Sequence, residues 1–70
     1  MPLTMLPAGQ ASIVQRVTGR DETRQFLASL GFVEGGEISV VNEINGNLIV
    51  NIKDSRVALS RSMACRILVS

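Results

Sequence analysis

The segment from residue 21 to 41 constrains the fold most, because it encodes a helix, its end, a turn and the start of a strand. Phe26, Leu27 and Leu30 recur at helical spacing, which predicts a short helix with one apolar stripe. Gly31 follows the stripe at the position where a glycine with positive φ commonly ends a helix. The helix is therefore predicted to stop there.

Both ends of this predicted helix carry local signals. Asp21 is predicted to be the N-cap, because its carboxylate can accept hydrogen bonds from free backbone N–H groups. At the other end, a left-handed Gly31 would bring Leu27 and Phe32 into the apolar contact of a Schellman ending. Gly35 then permits a second turn with positive φ, which redirects the chain into a strand.

The remaining sequence is typical of short strands joined by tight turns. Asn45-Gly46 is the preferred centre of a type I′ hairpin turn, so the strands on either side of it are predicted to pair antiparallel. Residues 53–55 form the next predicted turn. The five predicted strands cover residues 10–17, residues 37–43, a third strand with Leu48, Val50 and Ile52 on one face, residues 56–59 and residues 66–69.

Two further segments complete the chain. Residues 1–9 contain both prolines and are predicted to be an extended lead-in rather than a helix, with Leu3 and Leu6 against the core. Residues 60–65 are predicted to form a single helical turn with Ser60 as its cap. Cys65, the single cysteine, is interpreted as a small buried apolar residue rather than a reactive thiol.

These elements predict one mainly β domain over residues 1–70, an SH3-like small β-barrel with a helical insertion between strands one and two. Five short strands are too few for a sandwich, and closing them into a barrel removes the exposed edges. In this prediction Phe26, Leu27 and Leu30 plug one open end of the barrel. An OB-type barrel is the alternative.

Charge and hydropathy exclude several classes of function. The net charge of +1 lacks the basic footprint of a nucleic-acid binder. The first ten residues do not resemble a signal peptide, and no apolar run is long enough to enter a membrane, so a soluble cytoplasmic protein is expected. One cysteine cannot form an internal disulfide, which agrees with a reducing compartment.

The side chains that most catalytic and metal sites need are scarce. There is no histidine, the acidic residues fall singly or at the predicted helix start, and the serines have no base to activate them. The glycines after the helix are not a phosphate loop, because no Lys-Ser or Lys-Thr follows. The two phenylalanines offer no platform for stacking bases or proline-rich peptides. We therefore expect no enzyme, no cofactor and no specific metal site.

The pattern resembles the FeoA family along nearly the whole chain. Its most specific part is the helix-to-strand motif, carried by Leu27, Leu30, Gly31, Phe32 and Gly35. Where that family often has Pro-Gly before the second strand, this chain has Glu-Gly. The weaker matches lie in the lead-in, in strand one and in the segments after residue 56, at Leu3, Leu6, Gly9, Ile13, Val57, Ala58, Leu59, Ala64, Ile67 and Val69.

The resemblance implies a small cytosolic accessory protein of FeoB, the membrane ferrous-iron transporter with a cytosolic GTPase domain. It implies action by contact with the cytosolic region of that transporter. The same module is similar to the C-terminal domain of metal-dependent repressors, but no helix-turn-helix is found here. A generic adaptor or an oligomerising barrel unrelated to iron is the alternative, and self-association stays open.

The outward face of the helix is the predicted partner surface, because a plain barrel does not require this element. Its mildly basic residues would set orientation and association rate, and its small alanine would let a partner approach. The residues predicted to contact the partner are Arg20, Arg24, Gln25 and Ala28. An ordinary solvated helix face is the alternative. Arg61 and Arg66 form a second, weaker candidate surface.

Overall fold

Alternation of apolar and polar residues in five segments produces a five-stranded antiparallel sheet. The computed structural model describes residues 1–70, and its strands are ordered β4-β3-β2-β1-β5. The elements in chain order are a 3-10 turn at Leu3–Met5, β1 at Ala11–Val17, α1 at Asp21–Ser29, β2 at Glu37–Ile44, β3 at Asn47–Ile52, β4 at Ser55–Ser60, α2 at Arg61–Ala64 and β5 at Ile67–Val69. The predicted helix between the first two strands is confirmed.

The hairpin between β2 and β3 follows the predicted turn chemistry. Asn45 has φ of 52° and Gly46 has φ of 80°, so both central residues are left-handed, as a type I′ turn requires. On β3, Leu48, Val50 and Ile52 are all buried, as their alternation predicts. A turn at residues 53–54 then leads into β4, which pairs with β3 along its whole length.

The end of α1 is the predicted Schellman motif. Gly31 has φ of 108°, and its N–H donates to Ala28 O at 2.9 Å. The Phe32 N–H donates to Leu27 O at 3.0 Å, which is the second bond of the motif. Both Leu27 and Phe32 belong to the buried core, so the apolar residues at this helix end are withdrawn from water.

The turn after α1 is fixed against β1. Gly35 has φ of 85°, and its N–H donates to Val14 O at 2.8 Å. The Val14 N–H donates in return to Gly36 O at 2.8 Å. Gly35, which was predicted to redirect the chain, therefore also holds the segment after α1 against β1.

The predicted N-cap was wrong by one residue. Asp21 is the first helical residue, and Arg20 is the N-cap without a side-chain capping bond. The reason lies in the preceding turn, because Gly19 has φ of 110° and Arg20 is then the last extended residue. Asp21 and Glu22 still place negative charge in the first turn, where the helix dipole favours it.

The helix buries fewer apolar side chains than its predicted apolar stripe contains. Phe26 is 51% exposed, whereas Leu27 is fully buried and Leu30 is partly buried against the core. A short helix meets the sheet along a narrow line, here centred on Leu27, and each successive residue turns about 100° away from that line. The prediction that Phe26 plugs the barrel was therefore wrong, and Phe32 occupies the core beside Leu27 instead.

The lead-in buries Leu3 and Leu6 as predicted, but it is not extended throughout. Pro2 precedes the 3-10 turn, where its missing N–H costs nothing and its φ of −65° suits a helical start. Before that turn the chain is extended, and the Val69 N–H donates to Met1 O at 2.7 Å. The lead-in therefore covers the outer edge of β5.

The five antiparallel strands and the helical insertion of the predicted barrel are present, although the sheet does not close by hydrogen bonds between β4 and β5. The short helix α2 connects these two edge strands. Ser60 caps it as predicted, with Oγ accepting from the Met63 N–H at 3.3 Å. None of the helices has the length and apolar composition needed to span a bilayer.

Cys65 is exposed, so its interpretation as a buried residue was wrong. The helix α2 has only four residues and turns one narrow face inward, and Ala64 occupies that face with no exposed surface. Cys65 comes immediately after it and its Sγ–H donates to Ser62 O at 3.0 Å. The thiol therefore lies at the surface beside the end of α2.

Candidate partner-binding groove

A groove of about 610 Å³ lies between α1 and the end of β1, and it is the largest concave site on the molecule. We call it the helix groove. Its lining comes from residues 16–19, from Arg24 and Ala28 on α1, and from residues 32–34. It thus joins the outward side of the helix to the strand that precedes it.

Local backbone features create the helix groove. β1 changes from pairing with β2 to pairing with β5 after Ile13, and its register with β5 shifts between Val14 and Arg16. The positive φ of Gly19 then turns the chain into α1. Ala28 carries only a methyl group and so leaves space beside the helix. The groove therefore depends on one irregular strand, one glycine turn and one small helical residue.

Four of the nine residues that line the helix groove are apolar, and we call these four the floor of the groove. Val17 is partly buried and Phe32 is buried, while Val33 remains 40% exposed. Ala28 and Val33 are the exposed members of this set, and a partner that covers them would remove apolar surface from water at about 25 cal/mol for each Å². The apolar surface that the groove offers to a partner therefore lies at Ala28 and Val33.

The charged residues of the groove are Arg16, Arg24 and Glu34. Arg24 has one partner, Asp21, at 3.6 Å, and both side chains are more than half exposed. Exposed pairs of this kind contribute only about 0–1 kcal/mol, so the Arg24 guanidinium can change partners easily. The groove thus presents two accessible guanidinium groups above an apolar floor.

The structure brings together three of the four residues predicted for partner contact. Arg24 and Ala28 line the helix groove, and both also line a second cavity of about 440 Å³ on the outer face of α1. Gln25 lines that second cavity. Arg20 lies outside both, at the N-cap of α1. Their role in partner binding stays a prediction.

The second predicted surface divides between two environments. Arg61 forms an ion pair with Glu43 at 2.6 Å. The side chain of Arg66 instead lies over Gly19, with Cδ 3.5 Å from the place where a Cβ on that glycine would lie. Arg66 therefore belongs to the surroundings of the helix groove, whereas Arg61 is held against β2.

The sequence alone did not reveal the β1 side of the groove. Arg16 and Val17 belong to the predicted first strand, Thr18 to the break after it, and Val33 and Glu34 to the turn that follows the predicted helix. Only the register shift and the fold of α1 onto the strand bring them beside Ala28. Gly19, which interrupts the strand pattern, is the sequence signal in this region.

The described side chains do not assemble a metal-ligand cluster. No group of three or more histidine, cysteine, aspartate or glutamate residues comes together. No buried side-chain nitrogen or oxygen lacks a hydrogen-bond partner. The expected lack of a specific metal site stays a prediction.

Comparison with known proteins gives the same fold and one consistent family. A model of the FeoA domain matches residues 1–70. A Methanocaldococcus jannaschii protein provisionally named Fe(2+) transport protein A is 31% identical over 68 residues, covering 97% of this chain and 83% of that protein. The crystal structure of Stenotrophomonas maltophilia FeoA, complexed with zinc, has a TM-score of 0.88 at 32% identity, covering 100% of this chain and 89% of that one.

Two further solved structures, one of a relative and one of a more distant protein, are similar to this chain. The solution structure of FeoA from Chlorobium tepidum has a TM-score of 0.90 at 28% identity, covering 99% of this chain and 68% of that one. A manganese-dependent transcriptional repressor has a TM-score of 0.87 at 24% identity over 40% of its length, which shows a shared fold alone. Because the family model spans the whole chain and a relative above 30% identity covers nearly all of it, this protein belongs to the FeoA family, the small accessory proteins of ferrous iron transport.

Proposed function

We propose that this protein is a non-enzymatic, cytoplasmic accessory of ferrous iron uptake that binds the cytosolic region of a FeoB transporter through the helix groove and the outer face of α1. The observation that carries the proposal is the groove itself, where an apolar floor lies beside two accessible arginines. Family membership supports the link to iron transport, and the S. maltophilia relative has been described as a candidate ferrous iron transport activating factor.

Binding suits the side chains of the groove better than catalysis does. A general acid or base needs a titratable group near the reacting atoms, and the groove offers only the exposed carboxylate of Glu34. The chain has no histidine, and its single lysine, Lys53, lies in the β3–β4 turn. The proposed activity is therefore a change in the transporter caused by contact.

The two kinds of surface would have different tasks in this contact. The apolar floor would supply affinity, because burial of apolar area is the main favourable term in protein association. Arg24 at the groove and Arg20 at the helix start would orient the partner and raise the association rate through their charge. Ala28 would permit close approach, so that a large side chain at this position should block the partner.

The experiment is affinity capture of the transporter from detergent-solubilised cell membranes. The test variant combines Arg24→Glu, which reverses the charge at position 24, with Ala28→Arg, which fills the groove. The control combines Arg56→Glu with Ala58→Arg on the exposed face of β4, and it makes the same change in net charge. Exposed substitutions usually change stability by about 0.5 kcal/mol or less each, so both variants should keep their circular dichroism and melting temperature.

Capture should fall at least about tenfold for the test variant, equivalent to roughly 1.4 kcal/mol, and less than about twofold for the control. Ferrous iron uptake should likewise fall more in cells that carry the test variant than in cells that carry the control. If the folded test variant captures the transporter as well as the unmodified protein does, the helix groove is not the interface. If the unmodified protein captures no transporter, the proposed function is wrong.

A further inference from the structure

Four of the seven basic residues gather at the turn between β1 and α1. Arg16 and Arg24 line the helix groove together with Gly19, and Arg20 follows that glycine directly. Arg66 reaches the same turn from the other end of the chain, because its side chain lies over Gly19. We call Arg16, Arg20, Arg24 and Arg66 the arginine corner.

The position of Arg66 is fixed by its backbone. Its carbonyl oxygen accepts from the Thr18 N–H at 2.7 Å and from Thr18 Oγ1 at 3.2 Å. Its side chain stem then runs past Gly19, with Cδ, Nε and Cγ all within 4 Å of where a Cβ would lie. The Arg66 side chain therefore lies at van der Waals distance from the turn between β1 and α1.

Most of this charge is unpaired within the protein. Arg16, Arg20 and Arg66 have no ion-pair partner, and Arg24 has only the loose contact with Asp21 at 3.6 Å. Three of the six acidic residues of the chain lie close to the corner: Asp21 and Glu22 in the first turn of α1, and Glu34 in the lining of the groove. The four arginines outnumber these three carboxylates, so the surroundings of the groove carry a small net positive charge.

We propose that the helix groove takes an acidic segment of a protein partner, with carboxylates at the arginine corner and an apolar side chain on the floor beside Ala28 and Val33. This inference rests on the proposed function, since the segment would belong to the transporter. Guanidinium groups bind carboxylates through two parallel hydrogen bonds, and unpaired arginines on separate elements can accept several carboxylates at once. The apolar floor additionally requires an apolar side chain in the segment, which charge complementarity alone does not require.

A nucleic acid fits the same surface less well. Phosphate binding that follows a polynucleotide needs a longer basic track, whereas Lys53, Arg56 and Arg61 lie on the β3–β4 turn, on β4 and on α2. The aromatic ring in the groove, Phe32, is buried in the core and offers no face for stacking bases.

The test is a titration of the ¹⁵N-labelled protein followed by amide chemical shifts. The probe is a capped peptide with one leucine between two pairs of glutamates. A second peptide has serine in place of leucine, and oligothymidylate tests for general polyanion binding. Shift changes should concentrate on residues 16–34 and on Arg66, and the serine peptide should bind at least fivefold more weakly.

The matched variants are Arg16→Gln with Arg66→Gln, and Lys53→Gln with Arg56→Gln, which give the same net charge. Glutamine retains part of the aliphatic stem of arginine. A well-dispersed spectrum checks that each variant is folded, and if the double corner variant is not folded, the single variant Arg16→Gln takes its place. The corner variant should lose affinity for the leucine peptide at least fivefold, and the control less than twofold. The inference would be overturned if both variants lost affinity equally, or if the peptide shifted no amides or only amides outside the groove. Tighter binding of oligothymidylate than of the leucine peptide at the groove would also overturn it.

The corner variant also separates this inference from the proposed function. If the unmodified protein captures the transporter and the corner variant captures it equally well, the proposed function holds and the acidic-segment inference is wrong. If the peptide binds the groove but the unmodified protein captures no transporter, the groove has the inferred specificity and the proposed function is wrong. Loss of both peptide binding and transporter capture in the corner variant supports both.

Discussion

Replacement of Gly31 should destabilise the protein through the backbone at the end of α1. The glycine has φ of 108°, well beyond the narrow left-handed region that other residues can enter. A Cβ at this position would lie 3.5 Å from Ile52 Cγ1, which is an ordinary contact distance. The cost of Gly31→Ala therefore comes from the conformation rather than from a clash, and is about 1–2 kcal/mol.

Valine should cost more at the same position. Its two methyl groups extend beyond the Cβ toward Ile52, which is buried and has little freedom to move. A chain of 70 residues has a total stability of about 3.5–10 kcal/mol at the usual value per residue. In a domain of this size each kcal/mol lowers the melting temperature by about 4–8 °C, so Gly31→Ala should lower it by about 4–16 °C.

Gly35 provides the matched control for this prediction. It has φ of 85°, but a Cβ there would have nothing within 4 Å. Alanine should therefore destabilise both positions, while the further loss from alanine to valine should be larger at Gly31. Thermal unfolding followed by circular dichroism measures all four variants. An unchanged or raised melting temperature for Gly31→Ala would refute the dependence of this helix end on a left-handed glycine.

Three further predictions concern burial and capping. Leu27→Ala should cost about 2–5 kcal/mol in urea unfolding because Leu27 is fully buried, whereas Phe26→Ala should cost about 1 kcal/mol or less; equal costs would contradict the narrow contact of α1. Ser60→Ala should lose about 1 kcal/mol with the cap of α2, and an unchanged urea midpoint would contradict that capping bond. Cys65 is exposed and should react with Ellman's reagent in the folded protein, while labelling only in denaturant would show that it is buried.

Local chemistry explains why much of the fold could be predicted. Glycine at position 31, Asn-Gly in the β2–β3 turn and Ser60 before α2 each act on neighbouring backbone groups, and all three have the predicted role. The alternation along β3 likewise matches its buried face, because neighbouring side chains on a strand must point to opposite sides. These features depend on spacing within a few residues.

The failures depend on contacts that spacing does not encode. Phe26 has the same helical spacing as its buried neighbours, and only the line of contact between α1 and the sheet decides which of them is covered. Cys65 is exposed because α2 ends immediately before it.

The candidate site was predicted in part for a similar reason. Arg24, Gln25 and Ala28 could be assigned to the outward side of a helix from their spacing alone. The opposite wall of the helix groove needs the register shift in β1 and a hydrogen bond from Thr18 to Arg66, which are separated by 48 residues. No local pattern predicts that arginines from both ends of the chain share one turn.

Hydrogen exchange of this protein, read by mass spectrometry with and without the purified cytosolic region of the transporter, tests whether the helix groove is the interface. Exchange should be slower in residues 16–34, which form both walls of the helix groove, and unchanged in β3 and β4. The Arg24→Glu and Ala28→Arg variant should show no such protection. Protection confined to β3 and β4, or no protection at saturating concentrations of the cytosolic region, would show that the helix groove is not the interface.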